Sequence, residues 1–441
     1  MAAVRHHAFP SKARWTRRIV LIIVASVVGA CHPPPRSNGT FPQDAYVWQR
    51  EWTSNVVSSV QTHRDAFQKL VVLTAEVSWS DGSPKTVHTH PDWNVLASTD
   101  TNQAVGLALR IGPFSGPFGA EHPPAQHLIH LATQVISEAR SAGVSVSELQ
   151  LDFDCAESRL DGYRLWVEAL RPKIVPVPLR ITALPSWLDR PAFAKLVSAT
   201  DGFVLQVHSL VRPKRLNDPT PLCDPQAARI AVEKAARLGS GVPFQVALPT
   251  YGYLVAFNAR GQFLGASAEG PFPARPEGTR FQELSADPLS MARLVADWTR
   301  DRPAAMDGVV WYRLPVDADR FNWRWPTLAT VMSGEIPYPQ LAVSAENPQP
   351  GLFELILSHT GSLDYSGPAS VRLQWSGSER IGADGALGFR AVFEAPTQVL
   401  FTNSICRLRA GSRSRIGWVR LNAPVPITLE TLEPACLQPA K

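Results

Sequence analysis

The chain has 441 residues, of which 45% are apolar and 18% are charged. These values are typical of a folded protein with a sizeable core. The net charge of +5 arises in residues 1–30, which contain five Lys or Arg and no acidic residue, so the rest of the chain is formally neutral. A neutral chain gives no electrostatic argument for a nucleic-acid partner.

The first thirty residues have the three parts of a secretion signal. A basic start precedes the apolar run Ile19–Val28, which is shorter than the roughly 20 residues that a membrane-spanning helix needs. Gly29 and Ala30 then lead to Cys31. This ending resembles the lipobox of bacterial lipoproteins, which implies lipidation of Cys31. We therefore predict a signal peptide at 1–30 and a lipid-anchored protein of the bacterial cell envelope that faces the periplasm; an uncleaved membrane anchor is the alternative.

The pattern after the signal predicts a barrel. Residues 31–43 are Pro-rich, so we predict a tether there. From 44 to 335, apolar runs alternate with helical patterns, and eight strands in β-α alternation over about 270 residues favour a TIM-like (β/α)8 barrel. A doubly wound sheet is the alternative, but no Gly-x-Gly-x-x-Gly turn follows the first strand. The strands begin near Ala45, Leu70, Ala104, Glu148, Pro178, Gly202, Pro243 and Gly308. Helical patterns cover Ser54–Phe67, Ala125–Ala142, Leu160–Leu170, Pro191–Ala199, Pro225–Leu238 and Leu289–Thr299.

The C-terminal quarter has a different pattern. A Pro-rich join from Ile336 to Gly351 precedes short alternating runs, which predict a small antiparallel β-sandwich over residues 336–441. These runs are Leu352–Ser358, Ser370–Trp375, Gly388–Glu394, Gln398–Ile405 and Gly417–Leu421. Disulfides are allowed outside the cytoplasm, and Cys406–Cys436 and Cys155–Cys223 are the two pairings considered. The sequence leaves the pairing open.

The segment 149–157, Leu-Gln-Leu-Asp-Phe-Asp-Cys-Ala-Glu, contains the strongest candidate for chemistry. Because strand side chains alternate, we expect Gln150, Asp152 and Asp154 inside the barrel, near its C-terminal mouth. Burial and mutual repulsion raise the pKa of at least one such carboxyl, which a general acid needs at neutral pH. The alternative is a structural pair that is held by hydrogen bonds.

Five motifs, in order along the chain, resemble strands four to eight of family 18 glycoside hydrolases, the chitinase group. They are Leu151–Asp154, Ile181–Pro185, Asp201–Leu210, Ala247–Gly252 and Gly308–Trp311. The resemblance implies a glycan ligand, and it implies that Trp311 forms the floor beneath the reacting sugar. The family's catalytic acid falls at Ala156 and its first aspartate at Leu149, so the family mechanism does not transfer intact.

A second resemblance covers the whole chain. The opening Ala45–Gln49 and the segment Ser158–Tyr163 after the Asp-x-Asp strand are similar to bacterial lipoproteins grouped as domain of unknown function 3142. That family has no activity to carry over. The resemblance therefore supports the envelope prediction and leaves the chemistry to the residues themselves.

We therefore predict a glycoside hydrolase-like barrel that hydrolyses a glycan, with Asp154 as the acid, Asp152 tuning it and Glu157 in reserve. The alternative is a non-catalytic glycan-binding or envelope-assembly lipoprotein that has lost the family acid. Candidate substrate-binding residues carry aromatic or polar side chains near strand ends: Trp48, Gln150, Trp187, Gln206, His208, Tyr251, Trp311 and Arg313. His88 and His90 have no third ligand nearby, so we expect no metal, and we expect no cofactor.

Overall fold

The computed structural model describes residues 34–80, 82–97, 104–268 and 275–432. The predicted signal peptide, the predicted lipidation site Cys31 and Cys436 lie outside these ranges. Within them, no helix is both long enough and apolar enough to cross a membrane.

The first 312 residues contain fourteen described strands and several helices around a barrel. The strands are β1 (Arg36–Ser37), β2 (Gln43–Val47), β3 (Leu70–Ser80), β4 (Ser83–His88), β5 (Val105–Ile111), β6 (Val146–Phe153), β7 (Leu179–Ala183), β8 (Gly202–Gln206), β9 (Phe244–Pro249), β10 (Gly252–Phe257), β11 (Phe263–Ser267), β12 (Arg280–Ser285), β13 (Arg302–Pro303) and β14 (Met306–Tyr312). The α-helices are α1 (Ser54–His63), α2 (Trp93–Leu96), α3 (Pro123–Ser141), α4 (Leu160–Leu170), α5 (Pro191–Ser198), α6 (Pro225–Leu238), α7 (Pro288–Arg300) and, after β14, α8 (Trp325–Met332).

Eight parallel strands close the barrel. Strands β2, β3, β5, β6, β7, β8, β9 and β14 pair in this order, and β14 pairs again with β2. An open doubly wound sheet would leave its outer strands unpaired, so that alternative is wrong. The predicted (β/α)8 barrel is confirmed, and each of the eight predicted strands is present.

Two of the longer helices begin at an aspartate that caps the first turn. Asp224 accepts hydrogen bonds from the N–H groups of Gln226 and Ala227 at 2.8 and 3.0 Å, and Pro225 occupies the first turn of α6. Asp287 caps α7 in the same way. Because helices and strands alternate, the apolar face of each helix covers the outside of the barrel.

The structure departs from the predicted pattern at two insertions. The antiparallel hairpin β3–β4 and the single-turn α2 stand where the sequence showed no helix between the second and third strands. A three-stranded antiparallel sheet, β11-β10-β12, follows β9 and was not predicted. This sheet extends the wall of the barrel mouth, because Tyr253 on β10 lines the pocket there.

The barrel interior has three layers. The N-terminal end of the strands, called the bottom below, contains an ion-pair network. The middle is apolar, with Val71, Leu73, Ala108, Val204 and Val310 all fully buried. The C-terminal end, the mouth, is polar.

The bottom network links strands on opposite sides of the barrel. Lys69 Nζ lies 2.8 Å from Glu148 Oε2 and 3.2 Å from Asp44 Oδ2. Arg180 pairs with Glu148 at 3.2 Å and with Asp307 at 2.9 Å. Burial lowers the pKa of Lys69, but the carboxylates of Glu148 and Asp44 outweigh it and the pKa is raised. These charges therefore largely compensate one another inside the barrel.

The start of the described chain packs against the bottom. Strand β1 pairs antiparallel with β13, and Arg36 forms ion pairs with Asp301 at 2.8 Å and Glu233 at 2.6 Å. These residues belong to the predicted tether, residues 31–43. From residue 34 onward, however, they are part of the fold.

The C-terminal domain is a sandwich of two four-stranded antiparallel sheets, as predicted. Its strands are β15 (Leu341–Gln349), β16 (Leu352–His359), β17 (Tyr365–Trp375), β18 (Arg380–Gly385), β19 (Arg390–Ala395), β20 (Gln398–Leu408), β21 (Arg413–Leu421) and β22 (Ile427–Leu432), in the sheets β15-β16-β21-β18 and β19-β20-β17-β22. Residues of both sheets, such as Leu355 and Phe401, form its core. The predicted join is wrong in extent, because β15 occupies most of it.

The cysteines do not bridge the barrel. Cys155 and Cys223 are buried free thiols, so the considered pairing between them is wrong. Burial raises the pKa of both thiols to about 12, which keeps them protonated and unreactive. Cys406 is buried in the sandwich, and its considered partner Cys436 lies outside the described ranges.

Candidate functional site

A polar pocket of about 270 Å³ opens at the barrel mouth. This volume lies just below the range for small-molecule sites, about 300–1,000 Å³. Its position at the C-terminal end of the strands is where barrel enzymes hold their active sites. The lining residues are Tyr46, Trp48, Arg110, Asp152, Asp154, Thr182, Gln206, His208, Ser209, Leu210, Ala247, Tyr251, Tyr253 and Tyr312.

Asp152 is the buried carboxyl of this pocket. Strand alternation turns Leu151 and Phe153 toward the helices and Asp152 inward. Thr182 Oγ1 donates to Asp152 Oδ1 at 2.9 Å, and Arg110 Nη1 lies 3.2 Å from Oδ2. Burial raises the pKa of Asp152, Arg110 opposes the shift, and Asp154 adds to it; the net direction is upward.

Asp154 has a different environment. It lies one residue beyond the end of β6, on the exposed rim of the pocket. Ala156 follows it and is exposed. Glu157, the predicted reserve acid, forms an ion pair with Arg190 at 2.5 Å in a 3-10 turn and is absent from the pocket lining. Glu157 therefore lies on the rim and outside the pocket, where the prediction had placed it as a reserve acid, because its turn directs it toward α5.

His208 is buried between two tyrosines. Its Nδ1 lies 3.1 Å from the Tyr251 hydroxyl, and its ring stacks on Tyr312 with the centroids 5.5 Å apart. Its Nε2 is buried without a hydrogen-bond partner. Burial lowers the pKa of His208 to about 3, so the ring is neutral at physiological pH. A neutral ring with a free nitrogen can exchange a hydrogen bond with a ligand hydroxyl.

Aromatic rings form the rest of the wall. Tyr46, Trp48 and Tyr312 contact one another edge to face, with centroid separations of 5.0 to 5.8 Å. The Tyr46 hydroxyl donates to Gln150 Oε1 at 2.6 Å, which fixes the orientation of its ring. Gln206 Nε2 donates to the carbonyl of His208 at 3.3 Å. Of the predicted site residues, the structure therefore brings together Asp152, Asp154, Trp48, Gln206, His208 and Tyr251.

Two predicted tryptophans do not reach the pocket. Trp311 is fully buried on the outer face of β14, where its Nε1 donates to Gln43 Oε1 at 2.9 Å. Alternation places Tyr312 inside instead, so the prediction that Trp311 forms the pocket floor is wrong. Trp187 is fully buried in the layer between barrel and helices, and its Nε1 donates to the carbonyl of Cys155 at 3.1 Å. It supports the backbone just beyond Asp154.

Gln150 and Arg313 are also displaced from the predicted positions. Gln150 lies below the pocket, between the Tyr46 hydroxyl and Glu148 Oε1, to which it donates at 2.5 Å. Arg313 pairs with Asp319 at 3.0 Å and lines an adjoining cavity of about 130 Å³. This cavity shares Tyr251, Tyr253 and Tyr312 with the main pocket, so the two cavities adjoin at these rings.

Six polar or aromatic lining residues were not predicted from the sequence: Tyr46, Arg110, Thr182, Ser209, Tyr253 and Tyr312. A signal existed for Tyr46, because it shares a strand face with Trp48. The same alternation along β14 could have predicted Tyr312, instead of Trp311, as the residue that faces the pocket. Nothing local pointed to Arg110 or Thr182, since their role depends on strand register against Asp152. Among the residues described, no group of three or more His, Cys, Asp or Glu is placed to hold a metal ion.

Comparison with known families agrees with the second resemblance. Residues 121–317 match the model of a domain of unknown function, DUF3142. Residues 342–422 match a further domain of unknown function, DUF8456. The two matches divide the chain between β14 and β15. A search of curated proteins finds no match.

Solved structures with a similar chain path include a spore cortex-lytic enzyme and a chitinase. The spore cortex-lytic enzyme SleL of Bacillus cereus is 13% identical, with 68% of this chain and 75% of that chain covered and a TM-score of 0.47. A chitinase of Chromobacterium violaceum is 13% identical, with 67% and 98% covered and a TM-score of 0.47. At this level of similarity, the site has to be interpreted from the residues of this chain.

Proposed function

We propose that the chain binds a glycan in the pocket at the barrel mouth. The observation that carries the proposal is the lining itself, in which aromatic rings and polar side chains face one small cavity. Sugar rings stack their C–H faces on the electron-rich faces of aromatic rings. Their hydroxyls need donors and acceptors of fixed direction, and the neutral His208 and the carboxyl groups supply them.

The two adjoining cavities indicate the size of the ligand. The main pocket of about 270 Å³ is closed on one side by Tyr251, Tyr253 and Tyr312, and the smaller cavity continues beyond these rings. A ligand that fills both must pass across the tyrosines. An oligosaccharide has this shape, because successive rings alternate with flexible linkages.

The direct test is binding by calorimetry against β-linked amino-sugar oligomers, followed by neutral glycans. In Trp48→Ala we expect affinity to fall by about tenfold, which corresponds to ~1.4 kcal/mol. Trp418→Ala is the matched control, because Trp418 lies on the sandwich and is partly exposed. Circular dichroism checks that both variants fold. Equal affinity in both variants would rule out the mouth pocket as the glycan site.

Hydrolysis of the glycan is the second candidate, and the raised pKa of Asp152 beside Asp154 favours it. Against it, the pocket lining holds no third carboxyl in place of the acid missing at Ala156. Another carboxyl, Glu76 on β3, lies opposite Arg110 on β5, and Arg110 in turn lies opposite Asp152 on β6. Glu76 is therefore two strands from Asp152, and it already forms an ion pair with Arg50 at 2.7 Å. Glycan binding is therefore favoured over hydrolysis.

Turnover distinguishes the two candidates. If the chain is a hydrolase, Asp154→Asn lowers turnover by about 10²-fold, the usual contribution of a positioned acid or base. Binding without any turnover in the wild-type protein would eliminate hydrolysis and leave glycan binding in place.

We also propose that Cys31 is lipidated and that the protein is anchored in the bacterial envelope. The support is the signal pattern with Gly29 and Ala30 before the cysteine. Cys31→Ala should release the protein from the membrane fraction or leave an unprocessed precursor, which mass spectrometry identifies. An unchanged mass and unchanged fractionation would contradict lipidation.

A further inference from the structure

The segment 34–42 determines which end of the barrel lies next to the predicted anchor. Ala304 N donates to the carbonyl of Pro35 at 2.7 Å, and Gly39 N donates to the carbonyl of Thr299 at 2.8 Å. Arg302 donates to the Gly39 carbonyl at 2.7 Å and lies over the ring of Phe41. The segment is thus held at several successive points along its length.

These contacts all lie at the bottom of the barrel. Strand β13 ends three residues before β14 begins, and β14 runs from the bottom to the mouth. Thr299 stands in the last turn of α7, and helices in this fold run back from mouth to bottom. Segment 34–42 therefore approaches from the end opposite the pocket.

The distance from Cys31 to the packed segment is short. Arg36 lies five positions after Cys31, and an extended chain spans at most about 3.6 Å per position, or about 18 Å in total. An eight-residue strand such as β6 rises about 26 Å if untilted. The chain between Cys31 and Arg36 is therefore shorter than the barrel is long. It cannot reach from the bottom to the mouth, so the lipid on Cys31 has to lie near the bottom.

The rest of the molecule is compatible with a surface at the bottom. The sandwich reaches the barrel on the mouth side, where Arg409 donates to the carbonyls of Asp319 and Asn322 at 3.1 and 2.6 Å. Four exposed cations without an ion pair lie at the helix ends of the bottom, in the part of the chain described: Arg140, Lys173, Lys195 and Arg237. Exposed acids there that also lack an ion pair are Asp65, Glu138 and Glu335. This end therefore has no excess of negative charge to repel anionic headgroups.

We propose that the bottom of the barrel faces the bilayer and that the glycan pocket opens away from it. The proposal rests on lipidation of Cys31 and deepens the proposed function. A pocket that opens away from the bilayer takes a glycan that stands off the membrane, such as a wall or soluble polysaccharide. It does not take the headgroup sugar of a lipid in the anchoring leaflet.

The experiment uses the full-length lipidated protein, purified from membranes and reconstituted in phosphatidylcholine–phosphatidylglycerol vesicles that contain a headgroup nitroxide lipid. A fluorophore is attached at Lys173→Cys on the bottom or at Ser158→Cys beside the mouth, both exposed positions. Both variants carry Cys436→Ser, and the native Cys155, Cys223 and Cys406 are buried. Quenching by the nitroxide reports the distance of each fluorophore from the bilayer.

We expect quenching to be several-fold stronger at position 173 than at position 158. Equal quenching, or stronger quenching at 158, would overturn the orientation. A Cys31→Ser version of each labelled protein, added to the same vesicles, should show little quenching at either position. If mass spectrometry finds no lipid on the purified chain, lipidation of Cys31 is wrong, and the proposed orientation is overturned as well. Glycan binding is measured separately on the Cys31→Ser protein without vesicles, so failure of one proposal is distinguishable from failure of the other.

Discussion

The two ends of the barrel interior are both polar, but they use their polar groups differently. At the bottom, Lys69, Glu148 and Arg180 pair with neighbouring charges at 2.8 to 3.2 Å and are almost wholly buried. At the mouth, His208 Nε2 has no partner, and Asp154 is exposed on the rim of an open cavity. At the bottom, Arg180 Nη1, Asp307 Oδ1 and Gln245 Oε1 are also buried without a hydrogen-bond partner, but they belong to residues that are held by other charged or polar groups. At the mouth, the unpartnered nitrogen belongs to a residue that lines an open cavity, where a ligand can reach it.

This difference distinguishes stabilising from ligand-binding polarity. Buried charges are tolerated where partners neutralise them, and removal of one partner leaves an uncompensated charge. An unpartnered polar group in a cavity costs stability and is retained where a ligand can satisfy it. Substitutions at the bottom should therefore mainly change the free energy of unfolding, and those at the mouth should mainly change ligand binding.

The largest expected effect is at the bottom. Lys69→Met removes the cation between Asp44 and Glu148, and we expect the free energy of unfolding to fall by about 3–5 kcal/mol. Urea denaturation measures the change. Lys173→Met, at an exposed lysine, is the matched control and should cost less than about 0.5 kcal/mol. A loss below about 1 kcal/mol in Lys69→Met would show that the network does not stabilise the fold.

The second prediction concerns His208 and pH. Its folded pKa of about 3 lies below the ordinary value of 6.5, so the unfolded chain takes up a proton first as the pH falls. The free energy of unfolding should therefore decrease below about pH 6.5, by at most ~1.4 kcal/mol per pH unit. Wild type and His208→Gln are compared by denaturation across this window, with His130→Gln, an exposed histidine, as the control. Parallel curves for wild type and His208→Gln would contradict burial of a neutral ring.

Asp152→Asn tests a pH effect of the opposite sign. The raised folded pKa of Asp152 means that the folded state holds the proton more tightly than the unfolded chain. Wild-type stability relative to the variant should therefore fall as the pH rises from about 4 through the folded pKa. At low pH the carboxyl is protonated in both the folded and the unfolded state. There the variant should lose about 1 kcal/mol in the free energy of unfolding, because its amide makes weaker hydrogen bonds to Thr182 and Arg110. A difference between the two proteins that is independent of pH would refute the raised pKa.

The smallest effect on stability should be that of Asp154→Asn. Because Asp154 is exposed, we expect a change within about 0.5 kcal/mol in thermal or urea unfolding. The same variant should weaken glycan binding in calorimetry, because its carboxylate lines the pocket. Clear destabilisation with unchanged binding would mean that Asp154 belongs with the structural charges of the bottom.

The sequence by itself determined the alternation of strands and helices and the inward direction of Gln150, Asp152 and Asp154. Both follow from periodicity within one segment: a period of two in strands and of 3.6 in helices. The aspartates that cap α6 and α7 likewise bond to N–H groups within three residues along the chain. The change to short alternating runs after the barrel was enough to predict the sandwich, although not the first strand β15, whose proline and polar residues resembled a join.

Only the tertiary structure decided which residues meet. Arg110 reaches Asp152 because β5 and β6 pair in one particular register, and a one-residue shift would turn either side chain to the other face. The same sensitivity placed Tyr312 in the pocket and Trp311 in the outer core. Barrel closure brought Lys69 to Glu148, 79 positions apart. Such contacts depend on strand register and closure across the whole sheet, and no local pattern in the sequence encodes them.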